Sequence, residues 1–187
     1  MRYHLVRYSM YRRLRQCFPQ GISGKVLAIS GIGNFAPFLA EPVQVTETSY
    51  PEVDMTDLPY GEGEFDFVIS DQVLEHLEDP WQAVRESHRV LVEGGIAIHT
   101  SCLINYIHPS PLDLWRFTPD GMRCLCRDFS DVIECGGWGN RLVILLAFLN
   151  WRFMYMTVPE NPLGLRRVLA TFNEPRFPIS TWVVARK

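Results

Sequence analysis

The residues with the sharpest chemistry lie in one proline-punctuated stretch, "HPSPLDLWRFT" (108–118). His108 titrates near neutral pH and is the type of side chain that takes a proton from an oxygen nucleophile. Asp113 and Arg116, three residues apart, either pair with each other or leave the guanidinium to grip an anionic substrate in bidentate fashion. An architectural reading stands beside this one, in which the three side chains only stitch the loop together. A second cluster, "SDQVLEH" (70–76), gathers Asp71, Gln72, Glu75 and His76. There His76 either faces a ligand or caps and packs a helix start. The third stretch, "KVLAISGIGNF" (25–35), is an apolar run closed by a turn over Ser30–Asn34. Gly31 and Gly33 allow close approach to that turn, whose backbone N–H groups can bind a carboxylate. A tight turn with no ligand would use the same glycines.

These stretches need elements to hold them. "KVLAIS" and "FDFVIS" (65–70) read as buried parallel strands, "VQVTE" (43–47) and "IAIHTS" (96–101) as two more. "DPWQAVRESHRVL" (79–91) is a helix with Asp79 as N-cap and Pro80 at the first position, stopped by Gly94-Gly95. Thr118 and Pro119 start a helix over 118–129, and "DVIECGG" (131–137) with "STWVVARK" (180–187) form a terminal strand pair. Residues 2–18 set Leu5, Val6, Met10, Leu14 and Phe18 on one helical face among arginines. The alternation predicts an α/β, Rossmann-like, doubly wound sheet. One domain spans 1–187: a basic N-terminal helix (1–20), a core (24–137), an inserted helix and Pro-rich lid (138–178) and a last strand (179–187). In such sheets ligands sit beyond the carboxyl ends of the strands, where the three stretches fall.

Composition removes several classes. A formal net charge of -3 speaks against nucleic acid as the main partner. Cys17, Cys102, Cys124, Cys126 and Cys135 lack paired CxxC spacing, so no metal site is expected, and reduced thiols fit a cytoplasmic protein. The basic start has no apolar stretch of signal-peptide type. "LVILLAFL" (142–149) is too short to span a bilayer, which takes about 20 residues. It suits a core or homodimer helix, and contact with a membrane surface stays open.

The stretch from Phe65 to Ser101, a strand through "VLEH" into a helix ending "RVLVEGG", resembles class I S-adenosylmethionine-dependent methyltransferases. "DMTDLPYGEGEFD" is similar to the same family's segment ahead of that strand. "HPSPLDLWRFTPDGMRCL" resembles an H-x-x-P-x-D-x-W-R-[FW]-T segment of a subgroup often linked with surface-polysaccharide and glycan biosynthesis. "GGWGNR" (136–141) and "NEPRFPISTWVVARK" are similar to that subgroup's distal motifs.

The resemblance implies a seven-stranded-type sheet with an antiparallel terminal strand, and S-adenosyl-L-methionine as cofactor. It implies that Ser30, Gly31, Gly33 and Asn34 face the methionine part. Glu47 takes the ribose hydroxyls, Asp54 and Met55 receive and cover the adenine, and Asp71, Gln72 and His76 border the methyl group. His108 is then the general base, with Asp71, Asp113 and Arg116 orienting the reactants. The acceptor is a small or carbohydrate-like molecule, methylated at oxygen, where a histidine base has a use, with nitrogen as the alternative. The family's acid near the end of the first strand is replaced by Ala28 or Ile29, and its third glycine by Phe35. These departures keep a second reading in view, a catalytically degenerate fold serving as a binding or scaffold subunit. A nicotinamide dehydrogenase, which needs that third glycine, is set aside.

Overall fold

The apolar run Val26–Ile29 becomes the middle of a sheet because it is flanked by strands on both sides. The computed structural model describes residues 3–159 and 164–187. Six strands, β1 (Ile22–Ile29), β2 (Leu39–Thr48), β3 (Phe65–Asp71), β4 (Leu91–Cys102), β5 (Asp131–Trp138) and β6 (Ser180–Arg186), are ordered β2-β1-β3-β4-β6-β5. The first four are parallel, while β6 runs antiparallel to both β4 and β5. Strand order therefore reverses between β1 and β3, which makes the crevice beyond Ile29 and Asp71 the natural ligand site.

Among the described residues the expected seven strands are six. Residues 49–64 fold as successive turns instead of adding a strand outside β2. That leaves β2 as the edge, blunted by Glu41 and Pro42, which cannot extend a ladder. The connection from β1 to β2 is also unusual. It takes only residues 30–38, of which Gly33–Phe38 form a 3₁₀ turn, where parallel neighbours ordinarily need a longer helical crossover.

The face left bare by that short crossover is covered by the N-terminal helix α1 (Leu5–Cys17). Its Leu5, Met10, Tyr11 and Leu14 are buried against Val26, Phe35, Ile69 and Ile98. The basic helix is thus part of the core, although Arg2 of its expected span lies outside the described residues. On the opposite face lie α2 (Pro80–Val90) and α3 (Pro119–Leu125). Both start as their sequences dictate, with Asp79 accepting from Gln82 N at 2.9 Å and Thr118 from Gly121 N at 3.0 Å. Helix α3 ends at Leu125, short of the expected 129, because Cys126 leaves helical geometry.

The insertion holds two helices, α4 (Arg141–Leu149), which packs on the 3₁₀ turn Trp151–Tyr155, and α5 (Leu165–Thr171), which packs on α1. Asn140 joins them: its carbonyl oxygen accepts from Val143 N, and its amide donates to Leu169 O and Phe172 O. Part of the Pro-rich lid expected here, 160–163, lies outside the described residues. No described helix is long and apolar enough to cross a membrane.

Candidate functional site

Two backbone positions mark the switch point. Ser30, just after β1, and Gln72, just after β3, both take φ of 61°, a left-handed conformation that non-glycine residues adopt at a cost. Both line one cavity of about 530 Å³, within the range of cofactor and substrate sites. Asp54, Met55 and His76 line it too. Five of the residues singled out from the sequence therefore meet around one space.

Its walls are fixed by neighbouring elements. Asp54 accepts from Thr56 through both the backbone N–H and the hydroxyl, each at 2.8 Å. The "DLPY" turn behind it is pinned by α2: Glu86 accepts from Leu58 N at 2.9 Å, and Arg89 donates to Leu58 O and Tyr60 O. The Arg89 guanidinium also holds the Glu86 carboxyl below its ordinary pKa. On the other side, Glu47 ends β2 with its carboxylate accepting from Ile32 N at 2.9 Å, inside the glycine turn. Gly31, at φ +85°, gives that turn its path.

The roof is the 104–116 segment rather than the 138–178 insertion: Ser110, Pro111 and Leu112 line the cavity. Here the "HPSPLDLWRFT" residues find their partners. Asp113, its side chain 1% exposed, accepts from His108 N at 2.8 Å and from the Arg116 fork at 2.7 Å. The Arg116 hydrogen bond, followed by the His108 N–H, holds the Asp113 carboxyl far below the usual carboxylate range. Trp115 Nε1 donates to Leu77 O, Leu114 N and Trp115 N donate to Glu75 O, and the His76 ring meets Leu112 O. His108 Nδ1 lies 3.0 Å from Tyr106 O, 3.3 Å from Asp113 Oδ2 and 3.5 Å from the Asn105 amide nitrogen. Nε2 is left facing Glu75 Oε1 at 3.9 Å.

Glu75 is fully buried and accepts from Ser101 Oγ at 2.8 Å. Burial and Glu75 together push the Cys102 thiol up to about 12. Among the described residues, Glu75, Cys102 and His108 bring ligand-type atoms within 4.8 Å of one another, a grouping the sequence gave no reason to expect.

Sequence reasoning also missed α1. Asp71 Oδ2 accepts from Tyr11 at 2.6 Å and from Asn34 Nδ2 at 3.3 Å, while Oδ1 accepts from Thr100 at 2.6 Å. Arg7 stands beside the pair. Burial pulls its pKa down, but Asp71 and Tyr11 more than offset this and raise it. Burial, then Asp71, raises the Tyr11 hydroxyl so that it stays a donor. The only sequence signal was the i, i+4 spacing of Arg7 and Tyr11 within an otherwise apolar helix face. His99 is a core residue, with Nδ1 on Ser70 Oγ at 2.7 Å, and burial lowers its pKa to about 4.

Residues 20–99 match the family model described as Methyltransferase domain. The chain is 38% identical over 74 residues to 2-methyl-6-phytyl-1,4-hydroquinone methyltransferase 1, chloroplastic, of Oryza sativa subsp. japonica. That match takes in 36% of this chain and 21% of the rice protein, so it spans about a fifth of the relative's length. Its fold is similar to a SAM dependent methyltransferase from Aquifex aeolicus, with TM-score 0.56, 11% identity, and 94% and 88% of the two chains covered. It is also similar to the [4+2]-cyclase SpnF, with TM-score 0.58, 18% identity, and 94% and 80% covered. Residues 20–99 are thus similar to a methyltransferase domain, and the chain has a Rossmann-like α/β fold shared with these structures. The cofactor of that domain class is S-adenosylmethionine. The cavity has adequate volume for it, with the Asp54 carboxylate and the Ser30 turn in its wall, while Glu47 is not among its lining residues and its carboxylate accepts from Ile32 N in the glycine turn.

Proposed function

We propose that the protein transfers a methyl group from S-adenosylmethionine to oxygen of a small, carbohydrate-like acceptor, in line with the surface-polysaccharide subgroup whose H-x-x-P-x-D-x-W-R-F-T segment it resembles. The observation that carries this reading is the cavity at the strand-order reversal, where Ser30, Asp54, Met55, Gln72 and His76 converge. Methyl transfer is an in-line displacement, so holding acceptor and sulfonium together supplies most of the acceleration. Glu47 and Asp54 hold the adenosine end, the glycine turn and Asn34 the amino-acid end, and Asp71 is aimed by Tyr11 and Thr100. His108 is the general base. Asp113 accepts from the His108 backbone N–H and stands 3.3 Å from its ring, and Arg116 is a positioning residue that acts through Asp113.

Calorimetry with S-adenosylhomocysteine and transfer of label from methyl-labelled cofactor to a panel of glycosides test the proposal. Micromolar binding with label transfer is the expected result, and no heat at millimolar ligand would end it. His108→Ala is expected to lower kcat by about 10²–10⁴-fold with cofactor affinity near wild type. Unchanged turnover would remove the base role.

A further inference from the structure

Three cavities lie in a row. Gln72, at the end of the large one, also lines a small cavity of about 20 Å³ with Arg7, Cys102 and Ser180. That small cavity shares Asn105, Met154 and Ile179 with a third, of about 140 Å³, between the roof segment and α4. The third is walled by Ile104, Ile144, Ala147, Phe148 and Trp151. The cofactor crevice and the apolar groove are thus neighbours, separated by the walls that Gln72, Asn105, Met154 and Ile179 form.

The groove opens on a surface that water does not suit. Helix α4 is apolar around its whole circumference, yet only Val143 is buried. Phe148 is 82% exposed, Leu149 76% and Leu145 57%. A helix hydrophobic on all sides is ordinarily buried in protein or lipid, and contiguous exposed apolar patches mark binding surfaces. The patch is bordered by Arg152, whose guanidinium stands 5.9 Å from the Trp151 ring, while Arg141 at the start of α4 is paired with Glu174. A second protein seated on this face would cover the exposed side chains but would not fill the groove, whose Asn105 and Tyr106 walls belong to the roof segment of the cofactor crevice. A flexible hydrocarbon chain does both.

We propose that the acceptor carries a long apolar chain, acyl or prenyl, lying in the α4 groove with its polar, methylated end at Asn105 and Gln72. This rests on the methyl-transfer reading above and narrows its acceptor from a free sugar-like molecule to an amphiphile.

The test uses the full chain and n-dodecyl-β-maltoside below its micelle-forming concentration, with maltose as the headgroup control, followed by calorimetry. The dodecyl compound is expected to bind one per chain and maltose to give no heat. Ala147→Trp, which fills the groove, is expected to weaken dodecyl binding at least about tenfold, with S-adenosylhomocysteine binding as in wild type. Phe148→Asp, at an exposed position, carries the same expectation if Ala147→Trp disturbs folding. No dodecyl binding to wild type, or equal binding to both variants, overturns the proposal. So does sedimentation showing a wild-type dimer that Phe148→Asp dissociates, since a second copy would then cover this face. Dodecyl binding without S-adenosylhomocysteine binding removes the methyltransferase reading and leaves the groove's ligand class standing.

Discussion

The Tyr11 hydroxyl donates to Asp71 Oδ2 across 2.6 Å, tying the N-terminal helix to the end of β3. Tyr11 is 1% exposed, so Tyr11→Phe removes a buried hydrogen bond to a charged group. The expected cost is about 1.5–3 kcal/mol. For a domain of this size that is a fall in Tm of roughly 3–12 °C, read by thermal unfolding. Asp71 keeps Thr100 and Asn34, so folding should survive while S-adenosylhomocysteine affinity drops.

Glu47 joins the edge strand to the glycine turn through Ile32 N. It is exposed, so Glu47→Ala should change stability little. Cofactor affinity should fall by tenfold or more if the carboxylate takes ribose hydroxyls, since about 1.4 kcal/mol is a factor of ten. Calorimetry showing wild-type affinity in this variant would remove that assignment.

Much of this was readable because the local rules were unopposed. Val26–Ile29 and Val68–Ile69 are buried apolar runs, and Asp79-Pro80 and Thr118-Pro119 are helix starts that the structure uses as such. The five expected site residues among those lining the large cavity follow from a motif order and from where ligands sit in parallel sheets. What could not be read was tertiary. Five arginines in residues 2–15 look like a solvated face, and nothing local shows that the short β1–β2 crossover leaves a bare sheet for α1 to cover. Only the i, i+4 spacing of Arg7 and Tyr11 hints at them, and their place at the site emerges once the sheet is assembled. Residues 49–64 carry too little apolar pattern to say whether a seventh strand forms. The proline-rich insertion looks like a roof, but the roof is built by Asp113 bonding within its own loop.

The depressed Asp113 carboxyl makes a pH prediction. Its folded-state pKa lies far below the unfolded value of about 4, so its stabilisation is complete above that pH. The stabilisation is lost as pH falls below about 4 toward the folded value. Urea midpoints measured from pH 6 to pH 3 should decline in wild type. In Asp113→Asn, which starts lower at pH 6, the decline should be shallower. Parallel curves for the two proteins would mean that the Asp113–Arg116 pair contributes nothing to folding.

Asn140 is the residue on which the insertion depends. It is fully buried, and its one side chain caps α4 through Val143 N and takes the carbonyls of Leu169 and Phe172 at the end of α5. Asn140→Ala loses the cap, about 1 kcal/mol, and strands two carbonyls whose partners it had supplied. A loss of about 2–4 kcal/mol is expected, most of it from the unpaired groups. Asn140→Asp keeps the cap but replaces the donating amide with an acceptor, so it should recover little of the loss. α4 walls the apolar groove whereas the cofactor crevice is built by β1, β3 and the 104–116 segment. In Asn140→Ala at a temperature where the sheet stays folded, hydrogen exchange should therefore rise in 141–149 and 165–171 and remain unchanged in β1 and β3. Uniform loss of protection would show that the insertion and the sheet unfold as one cooperative unit.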